Sequence, residues 1–174
     1  FNLCLSGGNT PKPIYELMTS KLFINKIDWS KVSIYFSDER CVPPDHIDSN
    51  FRMINLSLLS KIKPKRVNRI IGEHVDISIA ASEYEKEMIN NFKIKKGTFP
   101  KFDLILLGIG LDGHVASLFP NADVNHTKQK LAVSTYVDES IGKRISLSFN
   151  VLNHSNLNLF ILCGKKKKKI LSDI

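Results

Sequence analysis

Leu104-Ile105-Leu106-Leu107-Gly108-Ile109-Gly110-Leu111-Asp112-Gly113-His114-Val115-Ala116-Ser117-Leu118-Phe119-Pro120 decides the reading of this 174-residue chain. Its four leading apolar residues read as a buried strand, closed at once by a glycine. Glycines let the backbone turn sharply and approach a ligand closely, because no Cβ stands in the way. The loop they form carries an acid, an imidazole and a hydroxyl in Asp112, His114 and Ser117. His114 is the side chain there best able to exchange a proton near neutral pH. A lone histidine is more often structural, but a glycine-rich loop at a strand end, with Asp112 and Ser117 beside it, favours chemistry. Ser117 can equally cap a short helix.

Two other strand ends share this layout. Asn2 to Leu5 reads as a buried strand running into Ser6-Gly7-Gly8-Asn9-Thr10. Pro11 and Pro13 then suit the first turn of a helix through Ile14, Leu17, Met18 and Leu22. Free N–H groups at such a helix start form an anion site to which Thr10 adds a hydroxyl. A turn and cap without a ligand fits the same residues. Val32 to Phe36 is a second strand, ending in the polar loop Ser37-Asp38-Glu39-Arg40 before Pro43-Pro44. Arg40 offers a planar fork to phosphate or carboxylate. Asp38 could bind sugar hydroxyls or orient an imidazole, and a surface ion pair is the plain alternative. Asn50 is either a polar helix start or a ligand contact.

Ser49 caps a predicted helix containing Phe51, Ile54, Leu58 and Leu59. A short strand at 67–71 precedes an amphipathic helix over 78–95, with Ile79, Tyr84, Met88, Ile89 and Phe92 on one side. Strands are expected at 131–137, 145–149 and 157–163, and Gly164 with its lysines opens a last helix. Strands alternating with helices predict one α/β domain over residues 1–174, with a mostly parallel open sheet and helices on both faces. In such sheets ligands bind outside the carboxyl ends of the strands, where this chain puts its polar loops.

The net charge of +8 suits an anionic partner, a phosphorylated small molecule or nucleic acid. Much of the excess lies in Lys165 to Lys169, which also reads as a solvated helix end. Cys4, Cys41 and Cys163 are odd in number and lack CxxC spacing, arguing against a disulfide framework or a zinc site. No apolar run is long enough to span a bilayer. The chain opens on Phe1, inside an apolar segment, so truncation at both ends is expected. Gly108 to Gly113 matches G-x-G-x-x-G, but Pro120 interrupts the helix a dinucleotide fold requires. A G-x-S-x-G nucleophile elbow is absent at Ser117. His46, His74, His126 and His154 read as surface or packing residues.

Three blocks, Leu5-Ser6-Gly7-Gly8-Asn9-Thr10-Pro11, Asp38-Glu39-Arg40-Cys41-Val42-Pro43 and Gly108 to Pro120, together resemble the 6-phosphogluconolactonase family, within the wider group that includes glucosamine-6-phosphate deaminases. The resemblance runs along the whole chain, and the third block is its most specific part. It implies a Rossmann-like fold and hydrolysis of 6-phospho-D-glucono-1,5-lactone in the oxidative pentose phosphate pathway, with no cofactor, metal, nucleic acid or membrane. It implies His114 as general base, with Asp38 and Arg40 at the sugar end or tuning it. It implies substrate or phosphate contacts from Ser6, Gly7, Gly8, Thr10, Asn50, Gly110, Asp112, Gly113, Ser117, Arg144 and Lys167. A cytoplasmic enzyme is expected, and some parasite members of the family are fused to glucose-6-phosphate dehydrogenase. Departures from the family pattern are Cys41 for an aromatic, Asn121 for a glycine, and no proline near Gly142-Lys143.

Two alternatives stand beside this reading. A glucosamine-6-phosphate deaminase needs more acid–base groups, and members of that kind carry a glutamate where this chain has Phe119. A sugar-phosphate sensor or nucleic-acid binder would use the basic charge without His114, but no nucleic-acid-binding motif is present.

Overall fold

A computed structural model of the chain describes residues 1–120, 129–136, 138, 139 and 141–172. Asn121, His126 and Val137, the last position of one expected strand, lie outside these. The described strands are β1 (Asn2–Leu5), β2 (Ser33–Phe36), β3 (Asp38–Arg40), β4 (Arg66–Asn68), β5 (Leu104–Leu107), β6 (Ala132–Tyr136), β7 (Lys143–Leu147) and β8 (Asn158–Phe160). The helices are α1 (Lys12–Met18), α2 (Asn50–Ser57), α3 (Ile77–Phe92), α4 (Phe149–Asn153) and α5 (Lys168–Ser172).

Five strands form one parallel sheet in the order β4-β2-β1-β5-β8. β1 and β5 carry near-continuous apolar runs and are buried along most of their length, as central parallel strands must be. This gives the expected α/β class. The other three strands form a separate antiparallel sheet, β3-β7-β6, and do not extend the first.

Ser37 is the crossing between the two sheets. Its N–H donates to the Leu5 carbonyl at 2.9 Å, and its own carbonyl accepts from the Leu147 N–H at 2.8 Å. The segment Ser37-Asp38-Glu39-Arg40, expected as a loop, is therefore mostly strand: β7 supplies ladder partners that no local pattern could announce. The buried Tyr84 hydroxyl fixes the same corner, donating to the Phe36 carbonyl and accepting from its N–H, both at 3.0 Å. α3, which carries Tyr84, packs against β6 and β7, and its Phe92 ring meets Tyr35 and Phe102 at 5.3 and 5.0 Å.

Several boundaries differ from the sequence expectation. α1 stops at Met18, leaving Leu17 and Leu22 exposed. The buried face of α3 is Ala80, Ala81, Tyr84 and Met88, while Ile79 is exposed. Phe149 begins α4 instead of ending β7, because the Ser148 hydroxyl accepts from the Val151 N–H and caps a helix there. Ser49 caps α2 as expected, accepting from the Arg52 N–H at 3.1 Å. The lysine run does open a helix. No helix among the described residues is long and apolar enough to cross a membrane.

Candidate active site

The polar loops after β1 and β5 meet β3, β7 and the lysine run around a cleft of about 540 Å³. Of the residues singled out from the sequence, Ser6, Gly7, Gly8, Thr10, Asp38, Arg40, Asn50, Gly110, Asp112, His114, Arg144 and Lys167 line it. Gly113 and Ser117 stand outside the lining. Gly113 (φ 90°) supplies the left-handed turn that carries His114. Ser117 is buried behind the loop.

His114 and Asp112 form one unit. Asp112 Oδ1 lies 2.7 Å from His114 Nδ1 and also accepts from the His114 backbone N–H at 3.2 Å. Burial opposes ionisation of the Asp112 carboxyl, but these two hydrogen bonds outweigh it and hold the group below its ordinary value. A carboxylate at Nδ1 fixes the proton on that nitrogen and leaves the Nε2 lone pair free to act as a base. With 33% of its side chain exposed, the imidazole remains reachable by water. Gly110 makes the arrangement sterically feasible, since a Cβ there would lie 2.2 Å from His114 Nδ1. Gly7 does the same for Asn50, whose amide oxygen would meet a Cβ at 1.8 Å.

The opposite wall is cationic. Arg40 and Arg144 are directly opposed across β3 and β7. Arg40 Nη1 donates to the Asp48 carbonyl at 2.7 Å, and its buried Nε has no hydrogen-bond partner. Arg144 Nε donates to the Ile141 carbonyl at 3.0 Å. Burial, and then the charge of Arg40, push the Arg144 pKa down from its ordinary value. Like charges facing each other across a ladder repel, and a bound anion relieves that repulsion. Lys167 Nζ donates to the Ile109 carbonyl of the glycine loop. Its neighbours in the run, Lys165, Lys166, Lys168 and Lys169, are more exposed and absent from the lining.

The two acids of β3 do different work. Asp38 is buried beside the cleft and accepts from the Ser117 hydroxyl at 2.7 Å and the Ser37 hydroxyl at 3.0 Å. Glu39 points to the other side. Its carboxylate accepts from the N–H groups of Arg40, Asn50 and Phe51, each at 2.7 Å, and from the Ser49 hydroxyl at 3.2 Å. It thereby docks the start of α2 onto β3. Burial pushes the Glu39 carboxyl up from its ordinary value, against the pull of the three N–H donors.

Phe119, noted in the sequence only as standing where a deaminase carries a glutamate, and Ile141, which the sequence did not single out, also line the cleft. The Phe119 ring packs 4.4 Å from the His114 ring and closes one side of it. Ile141 contributes through its backbone carbonyl, and the nearby Gly142 turn was its one signal.

A family model described as glucosamine-6-phosphate isomerases/6-phosphogluconolactonase matches residues 1–174. The chain belongs to this family. It is 35% identical over 99% of its length to a 6-phosphogluconolactonase of a Synechocystis strain, covering 70% of that protein. It is also 35% identical over 99% of its length to one from Treponema pallidum, covering 71% of it. Among solved structures, the 6-phosphogluconolactonase of Thermotoga maritima superposes with a TM-score of 0.84 at 34% identity, over 99% of this chain and 74% of that one. The lactonase of Plasmodium vivax gives 0.80 at 25% identity, over 99% and 67%.

Proposed function

We propose that this member of the family hydrolyses 6-phospho-D-glucono-1,5-lactone to 6-phospho-D-gluconate, the lactonase step of the oxidative pentose phosphate pathway. The observation that carries the reading is a carboxylate-oriented imidazole, His114–Asp112, in a cleft that also holds Arg40, Arg144 and Lys167. A base and an anion grip are what hydrolysis of a phosphorylated lactone requires. The lactonase names and 35% identities of the relatives support the same substrate. Phe119 stands against the ring of His114 and cannot move a proton, which disfavours an isomerising deaminase.

In this mechanism the lactone phosphate lies toward Thr10, Arg144 and Lys167, and C1 lies toward His114. Ser6, Gly7, Gly8, Asn50 and Gly110 shape the walls around the sugar, and Arg40 frames its other side, with Asp38 in the lining holding the Ser117 hydroxyl. His114 Nε2 takes a proton from water as the oxygen attacks the C1 carbonyl. The tetrahedral oxyanion collapses and the C1–ring-oxygen bond breaks. The imidazolium returns its proton to the leaving ring oxygen, which becomes a hydroxyl, and the product acid ionises. No metal or cofactor takes part.

Residues 1–174 act in this reading as one lactonase domain of a cytoplasmic enzyme. Its partner is the sugar phosphate, not nucleic acid or a membrane. Covalent fusion to, or functional coupling with, glucose-6-phosphate dehydrogenase is not shown by the relatives named above, whose names give the lactonase alone.

The test is the rate of loss of freshly made lactone with and without the protein. Acceleration over spontaneous hydrolysis is expected, and its absence with folded protein rejects the proposal. The phosphate grip has its own test. Arg144→Ala and Lys167→Ala should each raise KM about tenfold or more, the scale of losing one charge-assisted contact, with a smaller change in kcat. Lys169→Ala should leave KM unchanged. Equal effects at Lys167 and Lys169 would mean that a diffuse field holds the phosphate.

A further inference from the structure

The side-chain contacts described for His114, to Asp112 and Phe119, stay within its own loop. Something else must fix that loop relative to the cationic wall. Lys167 Nζ reaches the Ile109 carbonyl at the start of the loop, and two further side-chain hydrogen bonds that tie the loop to the second half of the site meet nearer His114, at Ser117. Its hydroxyl donates to Asp38 Oδ2 at 2.7 Å, and its backbone N–H donates to Ser146 Oγ at 3.2 Å. Asp38 and Ser146 are cross-strand partners in β3 and β7, so both holds come from one rung of the antiparallel sheet. That rung lies two positions from the one carrying Arg40 and Arg144, with Glu39 and Ile145 between them, so the two pairs share a face of the ladder. Ser117 and Ser146 are both buried. Ser146 donates onward to the Leu147 carbonyl at 3.0 Å.

The loop needs such a hold. Ala116, next to Ser117, lies in the left-handed region at φ 52°, which a residue with a Cβ rarely adopts without support from its surroundings. Both carboxylate oxygens of Asp38 already accept hydroxyls, Oδ1 from Ser37 and Oδ2 from Ser117. Each oxygen thus holds one hydroxyl of the protein.

We propose that Ser117 and Ser146 are positioning residues for His114, and that Asp38 acts on the reaction through Ser117. The rung of β3 and β7 clamps the loop so that the imidazole and the arginine pair keep a fixed separation. This rests on the lactonase reading for its kinetic consequence but not for its structural one.

A double-mutant cycle tests it, with Ser117→Ala, Asp38→Asn and the pair, on variants shown to be folded. Ser117→Ala should lower kcat about tenfold or more, because small misplacements of a base are costly, with KM changed less than about threefold. Adding Asp38→Asn should lower kcat less than about twofold further. Wild-type kcat in Ser117→Ala overturns the clamp. So does a multiplicative double mutant, which would put Asp38 on the substrate independently. If Asp38→Asn does not fold, Ser146→Ala takes its place with the same expected non-additivity. The His114 ring NMR signals give a reading free of any substrate. They should move in Ser117→Ala although the polar partners of Ser117 are Asp38 and Ser146, and an unmoved signal rejects the clamp. A wild type without lactonase activity would defeat the proposed function and leave this spectroscopic test standing.

Discussion

Replacing His114 with alanine should lower turnover of 6-phosphogluconolactone by about 100-fold or more, the usual scale for losing a general base. The thermal midpoint should hardly change, because the ring is part-exposed and its polar partner, Asp112, lies in the same loop. KM should also stay close to wild type, since the grip on phosphate belongs to the other wall. Rates with both enzymes are read against spontaneous hydrolysis. An alanine variant within about threefold of wild type would remove His114 from the mechanism. Asp112→Asn makes a graded companion. An asparagine oxygen can still receive the Nδ1–H but no longer supports the imidazolium with a charge, so roughly a tenfold loss is expected. The pH behaviour follows from the sign of the Asp112 shift. Its folded carboxyl is held below the ordinary value, so the carboxylate and its support for the ring persist above that range and are lost as pH falls through the lowered value. In neutral and mildly acidic solution Asp112 remains ionised, and changes in rate there belong to other groups.

The second large effect is on stability. Glu39→Gln should destabilise the fold by about 2–3 kcal/mol, the range for hydrogen bonds to a buried charged acceptor that are lost or reversed. The four groups facing the Glu39 carboxylate, the N–H groups of Arg40, Asn50 and Phe51 and the Ser49 hydroxyl, all donate. An amide NH₂ turned into that set faces donors and satisfies none. Glu39→Ala leaves the same donors without a partner at the start of α2 and should cost at least as much. Denaturant unfolding of both variants measures this. A loss below about 0.5 kcal/mol, typical of a surface ion pair, would show that α2 is held by its apolar face alone. Because Asn50 starts α2 and also lines the cleft, both variants should raise KM as well.

Asp38 and Glu39 show where sequence reading reaches its end. Two adjacent acids before an arginine were visible as a polar cluster at a strand end. Their division of labour was not, because it depends on that segment being a strand. Successive side chains of a strand point to opposite faces. The register of β3 sends Asp38 toward Ser117 and Glu39 toward α2. Nothing in the local pattern announced β3, since its ladder partner β7 lies about a hundred residues away. The same distance hid the facing of Arg40 and Arg144, although each was picked out singly.

The chain by itself determined the α/β class, the parallel strands and the loops at their ends. These follow from short-range rules: apolar runs closed by glycine, and helices opened by proline or serine. It also marked His114 and Asp112, because they lie in one turn whose glycines can be read directly. Only the tertiary structure decided that β3, β6 and β7 form a second, antiparallel sheet. The same assembly put Lys167 against the Ile109 carbonyl while its neighbours stay more exposed. It also turned Ser117 away from the cleft into a buried contact with Asp38 and Ser146. Pairing between distant segments is set by how apolar faces and backbone donors are satisfied across the whole molecule, and a linear pattern carries no record of which strands meet.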